Sequence, residues 1–561
     1  MTDDVDTEIV VPQRETAAER HAKPNFYDIA IATAEKFGVC KRPIPMRIYD
    51  PRTLTETYIA TPCKATIAST CPACAKVARA LRVTQCYEGW HLDAEPVDEK
   101  PEPTEWQVHL LTARANLLDD YQVAKADGDE YLMDGIRELV ADLDAELRDT
   151  GWTARLDALD PLPKKRRIRS TKRRQDVPDL PRKKVGRTTI GEVFAGKYRP
   201  SMMITLTLPS YGKINPDGGR DKDGKPASDG SPRDPDTYDY QSAARDIVHF
   251  AALRDRFKKN LRRCVGWNVQ YWEVVEPQKR GAPHVHMLIR GRIPREVVKQ
   301  VARATYHQVW WPYHDPENEV YGHSRMPVWD TKSGTFVDPD TGTVLPGFDD
   351  ARDNLKPAHV IKFGTQIDPK HIKGVLGGTQ EAARTIGYVT KYLTKSIAEV
   401  LEPQSARAAT HYDRLHAELQ HTPCSETCAV WLRFGIVPQG ATEKTIPGRC
   451  RGKAHRRDTL GLPGRRVLNS KKWTGKTLAD HKADRVEFVR QLLGKVGMTL
   501  PETDRLQITP VEPGDQHCPP RDQLIVAHIA QRTRWRAELT TRVLAAGPPG
   551  TQEHSVLQNA A

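Results

Sequence analysis

The central part of the chain carries the alternation of apolar and polar residues that predicts β-strands. Residues 203–208 alternate in this way, and residues 268–290 contain two further runs joined by a turn at 277–281, which predicts a hairpin. Other predicted elements are a long polar loop at 212–236, a helix at about 240–262, a helix from near Pro294, a surface hairpin at 333–342 and a strand near 359–367. Strands and helices without regular βαβ spacing favour an α+β fold with an antiparallel sheet.

A helical period begins near Thr379 and separates apolar residues from tyrosines. The apolar stripe is formed by Ala382, Ile386, Val389, Leu393 and Ile397. The opposite side carries Arg384, Tyr388, Lys391, Tyr392 and Lys395. A tyrosine that served only packing would lie within the stripe. The four-residue spacing of Tyr388 and Tyr392 predicts two phenolic oxygens on one helix face, where both can reach the same phosphate.

Composition divides the 561 residues into seven predicted parts. They are a disordered tail (1–24), a cysteine-rich zinc module (25–95), a helical insertion (96–159), a basic linker (160–196), the domain with the strands and the tyrosines (197–410), a basic DNA-binding region with a second candidate zinc site (411–500) and a C-terminal tail (501–561) with one helical stretch.

The net charge of +12 is concentrated in two blocks. Residues 164–174 are almost purely basic, and residues 443–485 contain 13 Lys or Arg against 4 Asp or Glu. Such blocks attract phosphate backbones through counterion release, so nucleic acid is the expected partner; a solvated basic face is the alternative. The chain has no run of eighteen apolar residues, and its first residues lack a signal-peptide pattern, so we expect a cytoplasmic protein without a membrane span.

The predicted hairpin contains a candidate metal site. Alternation places His284 and His286 on one strand face, and a hairpin that closes symmetrically about Arg280 places Glu276 opposite His284. Two neutral imidazoles and a carboxylate suit a divalent cation such as Mg²⁺ or Mn²⁺, with open positions for water and phosphate oxygens. An exposed pair of polar residues is the alternative interpretation of a lone His-x-His.

The tyrosines add a nucleophile to this site. A phenol with its ordinary pKa near 10 is a weak nucleophile, but a divalent ion on the phosphate makes phosphorus easier to attack. Lys391 and Lys395 can stabilise the charge that develops on the phosphoryl oxygens. The pattern therefore predicts transfer of a DNA phosphoryl group to tyrosine.

Two cysteine groups predict structural zinc. The first contains Cys63, Cys71 and Cys74, and its fourth ligand is Cys86, His91 or Cys40; scattered buried thiols are the alternative. The second has looser spacing and consists of Cys424, Cys428, Cys450 and His455. It would stiffen the basic region, whose candidate DNA-binding residues are Arg456, Arg457, Arg465, Arg466, Lys471 and Lys472, together with Arg384 on the tyrosine helix.

One motif points away from ATP hydrolysis. Residues 474–477 read Thr-Gly-Lys-Thr, but Ser470 occupies the position where a phosphate-binding loop requires its first glycine. No apolar strand precedes the segment. We therefore predict no ATPase, and a separate host helicase would have to open the DNA.

The motifs Thr205-Leu206-Thr207, Pro283-His284-Val285-His286 and Tyr388-Val389-Thr390-Lys391-Tyr392 resemble those of HUH (His-hydrophobic-His) endonucleases, and more closely those of two-tyrosine rolling-circle replication initiators. Residues 388–395 are similar to the active-site helix of initiators from small single-stranded DNA phages. Residues 238–240, 264–271 and 456–476 resemble initiators of actinobacterial plasmids and integrative conjugative elements. The resemblance covers roughly residues 40–90 and 198–485.

This resemblance implies a HUH core at 197–410 with a five-stranded antiparallel sheet of ferredoxin-like ancestry (RRM-like) flanked by helices. It implies metal-dependent, site- and strand-specific nicking and joining of single-stranded DNA through a 5′-phosphotyrosine, with origin DNA and the host replication machinery as partners. Two alternatives stay open: a conjugative relaxase or single-strand transposase with the same chemistry, and a zinc-containing DNA-binding regulator without catalysis.

Overall fold

The computed structural model describes residues 16, 19, 23–92, 94–96, 102–160, 173–181, 198–220, 226–312, 315, 319–322, 324–352, 358–375, 379–462, 466–498 and 505–545. Within them the chain forms two compact units, Val97–Lys172 and the remainder. Most of the tail predicted at 1–24 and most of the linker predicted at 160–196 lie outside the described residues.

The helices are α1 Phe26–Phe37, α2 Pro72–Trp90, α3 Glu105–Asp127, α4 Glu130–Asp149, α5 Tyr240–Val265, α6 Arg295–Arg303, α7 Phe348–Ala351, α8 Gln380–Val389, α9 Ile397–Val400, α10 Ala406–His421, α11 Leu478–Lys495 and α12 Arg521–Ala545. The strands are β1 Ile44–Asp50, β2 Thr55–Thr61, β3 Tyr198–Thr207, β4 Ile214–Arg220, β5 Pro226–Pro232, β6 Tyr271–Pro277, β7 Pro283–Arg290, β8 Tyr306–Val309, β9 Val328–Asp330, β10 Thr335–Val337, β11 His359–Lys362, β12 Ile367–Val375, β13 Val467–Asn469 and β14 Gln507–Pro510. Short 3₁₀ turns lie at Ala429–Phe434, Lys453–His455 and Lys471–Trp473.

A five-stranded antiparallel sheet forms the centre of the larger unit, with the order β12-β3-β7-β6-β13. This confirms the predicted α+β class and the five-stranded sheet. In the β6–β7 hairpin Glu276 pairs with His284, so the predicted register about Arg280 is also confirmed.

The two faces of this sheet are buried in different ways. One face packs Met287 and Ile289 against α5 residues such as Leu253 and Phe257. The opposite face packs Trp272 and other large side chains against α2 and α8. His284, His286 and Leu288 alternate with Met287 and Ile289 along β7, so the histidines lie on the α2 and α8 side.

The N-terminal cysteine-rich segment and the C-terminal segment pack together. β14 pairs with β1, which pairs with β2, in a three-stranded sheet. Ile525 of α12 packs against Ala30 and Ala34 of α1. The predicted helical stretch near 522–545 is therefore present as α12, and its apolar residues contribute to the larger unit rather than to a free tail.

The smaller unit contains a helix pair, in agreement with the helical insertion predicted at 96–159. The side chain of Thr104 caps α3 by accepting a hydrogen bond from the backbone N–H of Gln107, and that of Asp129 caps α4 by accepting one from Leu132. Arg114 Nε donates to Asp144 Oδ1 over 2.6 Å between the two helices.

Three predictions about local structure were wrong. Residues 212–236 are not a plain loop, because β4 and β5 form a hairpin in which Ser228 Oγ donates to the Asn215 carbonyl over 2.6 Å. The tyrosine helix ends at Val389, eight residues before Ile397. Residues 173–181, assigned to an extended linker, include the buried Val177 and an Arg173 guanidinium that stacks on Tyr306.

Candidate functional site

The histidine pair lies where β7 begins, after a tight turn. Gln278 N–H donates to the Ala282 carbonyl over 2.9 Å, and Gly281 adopts a φ of +80° that a side chain would strain. The turn brings one ligand atom each from Glu276, His284 and His286 within 4.8 Å of one another, so the three residues could hold a metal ion.

The geometry of the imidazoles suits a shared cation. The Nε2 atoms of His284 and His286 are 3.0 Å apart. Adjacent ligands of an octahedral ion at 2.0–2.1 Å are separated by about 3.0 Å, which is the same spacing. Thr205 Oγ1 lies 2.9 Å from His286 Nδ1 and fixes that ring with Nε2 towards its neighbour. Thr205 belonged to a recognised motif, but the sequence did not reveal this contact.

Burial controls the charge of the three residues. It lowers the pKa of His284 to about 3 and that of His286 to about 4, so both imidazoles are neutral at pH 7. Burial also raises the pKa of Glu276 to about 7, against the opposing effects of Arg466 and Lys391. Glu276 Oε1 is buried and has no hydrogen-bond partner in the described part of the chain. A buried oxygen of this kind is a ready ligand for a cation.

Tyr388 lies directly beside the histidines. Its ring centroid is 5.2 Å from that of His286, in an edge-to-face arrangement, and the side chain is 54% exposed. Ala382, Ile386 and Val389 form the buried stripe of α8, so the phenol is not held by core packing. Burial of its inner part, together with the nearby Glu276 carboxylate, raises the pKa of Tyr388. The phenol is therefore protonated at pH 7.

Tyr392 does not share a helix face with Tyr388, because α8 ends three residues before it. Beyond Val389 the chain continues as turns, in which the N–H of residue i+3 donates a hydrogen bond to the carbonyl of residue i. Lys391 N–H donates to the Tyr388 carbonyl, and Lys395 N–H donates to the Tyr392 carbonyl. The Nζ atoms of Lys391 and Lys395 lie 5.0 and 5.8 Å from the centre of the Tyr392 ring. The predicted association of this tyrosine with cations is present, although it arises from a turn.

Three distant segments hold this turn, which comprises residues 390–395. Arg79 of α2 donates from Nε to the Thr390 carbonyl over 3.0 Å. Ala68 N–H donates to the Thr394 carbonyl over 2.7 Å. Arg466 donates from Nη1 to the Lys395 carbonyl over 2.7 Å. No pattern along the chain indicated Arg79, because its partner is a backbone carbonyl more than three hundred positions away.

The first cysteine cluster consists of Cys40, Cys63, Cys71 and Cys74, whose sulfur atoms lie within 4.8 Å of one another. The Sγ atoms of Cys40 and Cys71 are 3.8 Å apart. A tetrahedral zinc ion with bonds of 2.3 Å places two sulfurs about 3.8 Å apart, so the set fits. The inclusion of Cys86 was wrong, because this residue is buried in the apolar cluster beside Trp90.

The second cluster joins Cys424, Cys428, Cys450 and His455, as the sequence predicts. The Sγ atoms of Cys424 and Cys450 are 3.9 Å apart, and His455 Nε2 is 3.4 Å from Cys428 Sγ. His455 Nδ1 lies 2.8 Å from the Leu419 carbonyl, which orients the ring. Both cysteine clusters can therefore hold a metal ion.

Comparisons with known proteins identify the family of the chain. The sequence profile of a family described as "Replication initiator protein, pSAM2" matches residues 26–531. The chain belongs to this replication initiator family. A curated replication initiator protein from Streptomyces ambofaciens is 27% identical over 225 residues, which are 35% of this chain and 42% of that protein, so the match spans less than half of the relative. No solved structure matches the chain. No helix in the described part of this initiator-family chain is long and apolar enough to cross a bilayer.

The basic residues predicted to bind DNA differ in their surroundings in this member of the family. Arg384 is exposed on α8. Arg456 pairs with Asp458 and Arg457 with Asp413, both near the surface. Lys471 and Lys472 lie in a 3₁₀ turn, whereas Arg466 points inward, to the carbonyls of Val275 and Lys395. Arg465 lies outside the described residues.

Proposed function

We propose that this chain is a HUH endonuclease that initiates rolling-circle replication by nicking and rejoining one strand of an origin. Cleavage would be metal-dependent, site- and strand-specific, and would proceed through a 5′-phosphotyrosine intermediate. Membership of the initiator family supports the biological role. The observation that carries the chemistry is the position of Tyr388, an accessible phenol beside a two-histidine, one-carboxylate group.

Glu276, His284 and His286 are the residues that would hold the catalytic cation. Neutral imidazoles and a carboxylate form a donor set for Mg²⁺ or Mn²⁺, and the spacing of the Nε2 atoms and the unpartnered Glu276 Oε1 support this assignment. Such a cation supplies charge neutralisation on the oxygens of the scissile phosphate.

The protein then transfers the phosphoryl group to tyrosine, and one bond to phosphorus forms as another breaks. The phenolic oxygen of Tyr388 attacks phosphorus and loses its proton, while the bond from phosphorus to the 3′ oxygen breaks. That oxygen takes up a proton and leaves as a hydroxyl, which can prime synthesis. The tyrosyl ester keeps the energy of the phosphodiester, so attack by a 3′-hydroxyl rejoins the strand and releases the phenol.

Tyr392 would carry the second transfer. Two ammonium groups lie 5.0 and 5.8 Å from the centre of its ring, and they can stabilise negative charge on the phosphoryl oxygens or on the phenolate. Because Tyr388 is the tyrosine in contact with His286, we assign the first cut to Tyr388 and the cut after a round of copying to Tyr392.

We also propose that both cysteine clusters hold structural Zn²⁺. Cys₄ and Cys₃His sets with the observed sulfur spacings are those that tetrahedral zinc prefers. Metal analysis of the purified chain should give two zinc ions. Cys40→Ser should remove one of them, whereas Cys86→Ser, which changes a thiol outside the cluster, should leave both in place; equal zinc contents would contradict the ligand set.

The partners would be single-stranded and duplex origin DNA, a host helicase and the host replication machinery. The deciding experiment incubates the full chain with single-stranded origin DNA and Mn²⁺ and analyses the products by mass spectrometry. We expect a peptide containing residues 388–392 linked through tyrosine to a 5′-phosphate. An intact strand with no adduct would instead support a regulator that binds DNA without cleaving it.

A further inference from the structure

A groove lies beside the turn that carries Tyr392, and Leu393 and Lys395 of that turn line it. Its volume is about 580 Å³, which is within the range of small-ligand sites. Five parts of the chain line it: the loop of the first cysteine cluster with α2, residues 393–398, the Lys453–Thr459 segment beside the second cysteine cluster, the start of β13 and the first residue of α11. Of its lining residues, only Lys395 has a role in the proposed nicking reaction.

The charges around the groove are almost all positive. Its cations are Arg79, Arg82, Lys395, Lys453 and Arg466. The acidic residue at its edge, Asp458, is already paired with Arg456 over 2.5 Å. Apolar side chains such as Ile67, Leu393 and Val467 also line the groove. A positively charged groove tracks the phosphate backbone of a single strand, and these apolar side chains can pack against its bases.

Arg466 gives a second, independent indication that the groove binds phosphate. Its Nε and Nη1 atoms donate to backbone carbonyls of Val275 and Lys395, but its Nη2 atom is buried and has no hydrogen-bond partner in the described part of the chain. A buried guanidinium N–H without an acceptor is costly, and a phosphate oxygen is the acceptor that guanidinium binds best.

We propose that this groove holds the nucleotides of a single DNA strand that lie immediately 3′ of the cleaved phosphate. The assignment of the strand's direction rests on the proposed function: Lys395 both lines the groove and lies over the ring of Tyr392, so a strand joined to that phenol through its 5′-phosphate continues into the groove. The cysteine clusters then serve DNA binding by fixing two of its walls.

Binding can be tested without cleavage, in the absence of divalent metal. The probe is a short single-stranded oligothymidylate, and its affinity for the full chain is measured by fluorescence anisotropy over a range of salt concentrations. Lys453→Ala should weaken binding severalfold and reduce the salt slope by about 0.7, the value for one lost contact with a single strand. The matched control is Lys444→Ala, which removes an exposed lysine that does not line the groove. The same affinity and slope for both variants would overturn the proposal.

The direction is tested with origin oligonucleotides that carry 4-thiothymidine on one side or the other of the mapped nick, in the covalent adduct. Cross-links from the 3′ side should appear in peptides containing residues 66–82, 393–398 or 453–459. Cross-links to these peptides from the 5′ side alone would overturn the assigned direction. If no adduct forms at all, the nicking function fails, while the anisotropy result still decides whether the groove binds a strand.

Discussion

The candidate ligands of the catalytic cation all come from one hairpin, whereas the turn that carries Tyr392 is held by residues from distant parts of the chain. Glu276 and His284 are paired directly in the β6–β7 register, and His286 follows two positions later. The turn at 390–395, in contrast, depends on Ala68, Arg79 and Arg466. A local site keeps its geometry whenever the hairpin forms. A site assembled from several segments can be disturbed by changes far from the chemistry, and this difference can be tested.

The largest effects should come from the two tyrosines. Tyr388→Phe keeps the ring against His286 but removes the nucleophilic oxygen, so initial cleavage of single-stranded origin DNA should fall by at least roughly 10³-fold. Tyr392→Phe should permit the first cut and impair the second transfer. Strand cleavage and strand transfer are measured separately on labelled oligonucleotides. Equal loss of both steps in both variants would show that the tyrosines do not divide the work in this way.

Removal of the hairpin ligands should reduce nicking by a similar factor and leave DNA binding unchanged. The double change of His284→Ala with His286→Ala removes two of the three donors, so Mn²⁺-dependent nicking should be abolished. Binding of duplex origin DNA should be unchanged, because the imidazoles are neutral at pH 7 and contribute no positive charge. Gel-shift and nicking assays on the same protein separate the two outcomes. Retained nicking would refute the ligand assignment.

A smaller effect, on the metal dependence of nicking, is expected from Thr205, which contacts His286. Thr205→Val keeps the shape of the side chain but removes the hydroxyl 2.9 Å from His286 Nδ1, so the Mn²⁺ concentration needed for nicking should rise by about 10- to 100-fold. Thr207→Val is the matched control, because Thr207 pairs with His284 across the strands but donates its hydroxyl to the Gln366 carbonyl. Identical metal dependence in the two variants would mean that the hydroxyl does not orient the ligand.

The same contrast explains what the sequence could predict. The position of Glu276 opposite His284 follows from alternation and a symmetric turn, so the hairpin ligands were predictable. The end of the tyrosine helix was not, because it is decided by a local side-chain hydrogen bond together with a tertiary contact. Thr390 Oγ1 donates to the Ile386 carbonyl over 2.7 Å, and Arg79 occupies the Thr390 carbonyl that a continued helix would offer to residue 394.

The ligands of the first cysteine cluster were predicted only in part, and the inclusion of Cys86 was an avoidable error. Cys74 and Cys86 lie on the same helix, and twelve residues at 1.5 Å each separate them by about 18 Å, too far to share an ion. Cys40 could be named only as one of three candidates, since its approach depends on the fold of the loop before α2. The β4–β5 hairpin was missed for another reason: its Gly, Asp and Pro residues carry no strand propensity, and side-chain hydrogen bonds hold it instead.

The smallest effect should come from Arg79, and it tests most directly whether the Tyr392 turn and the hairpin site are independent. Arg79→Lys keeps the positive charge but loses the fork that reaches both the carbonyl and the Oγ1 atom of Thr390. The second strand transfer should slow by about five- to tenfold, the value of one hydrogen bond, while the first cut by Tyr388 and the metal dependence stay unchanged. Lys76→Arg, on the same helix, is the control, because it also keeps the positive charge and Lys76 is exposed and does not line the groove. If Arg79→Lys slowed both steps alike, the turn and the hairpin would behave as one rigid site, and Tyr392 would not depend separately on the distant segments that hold it.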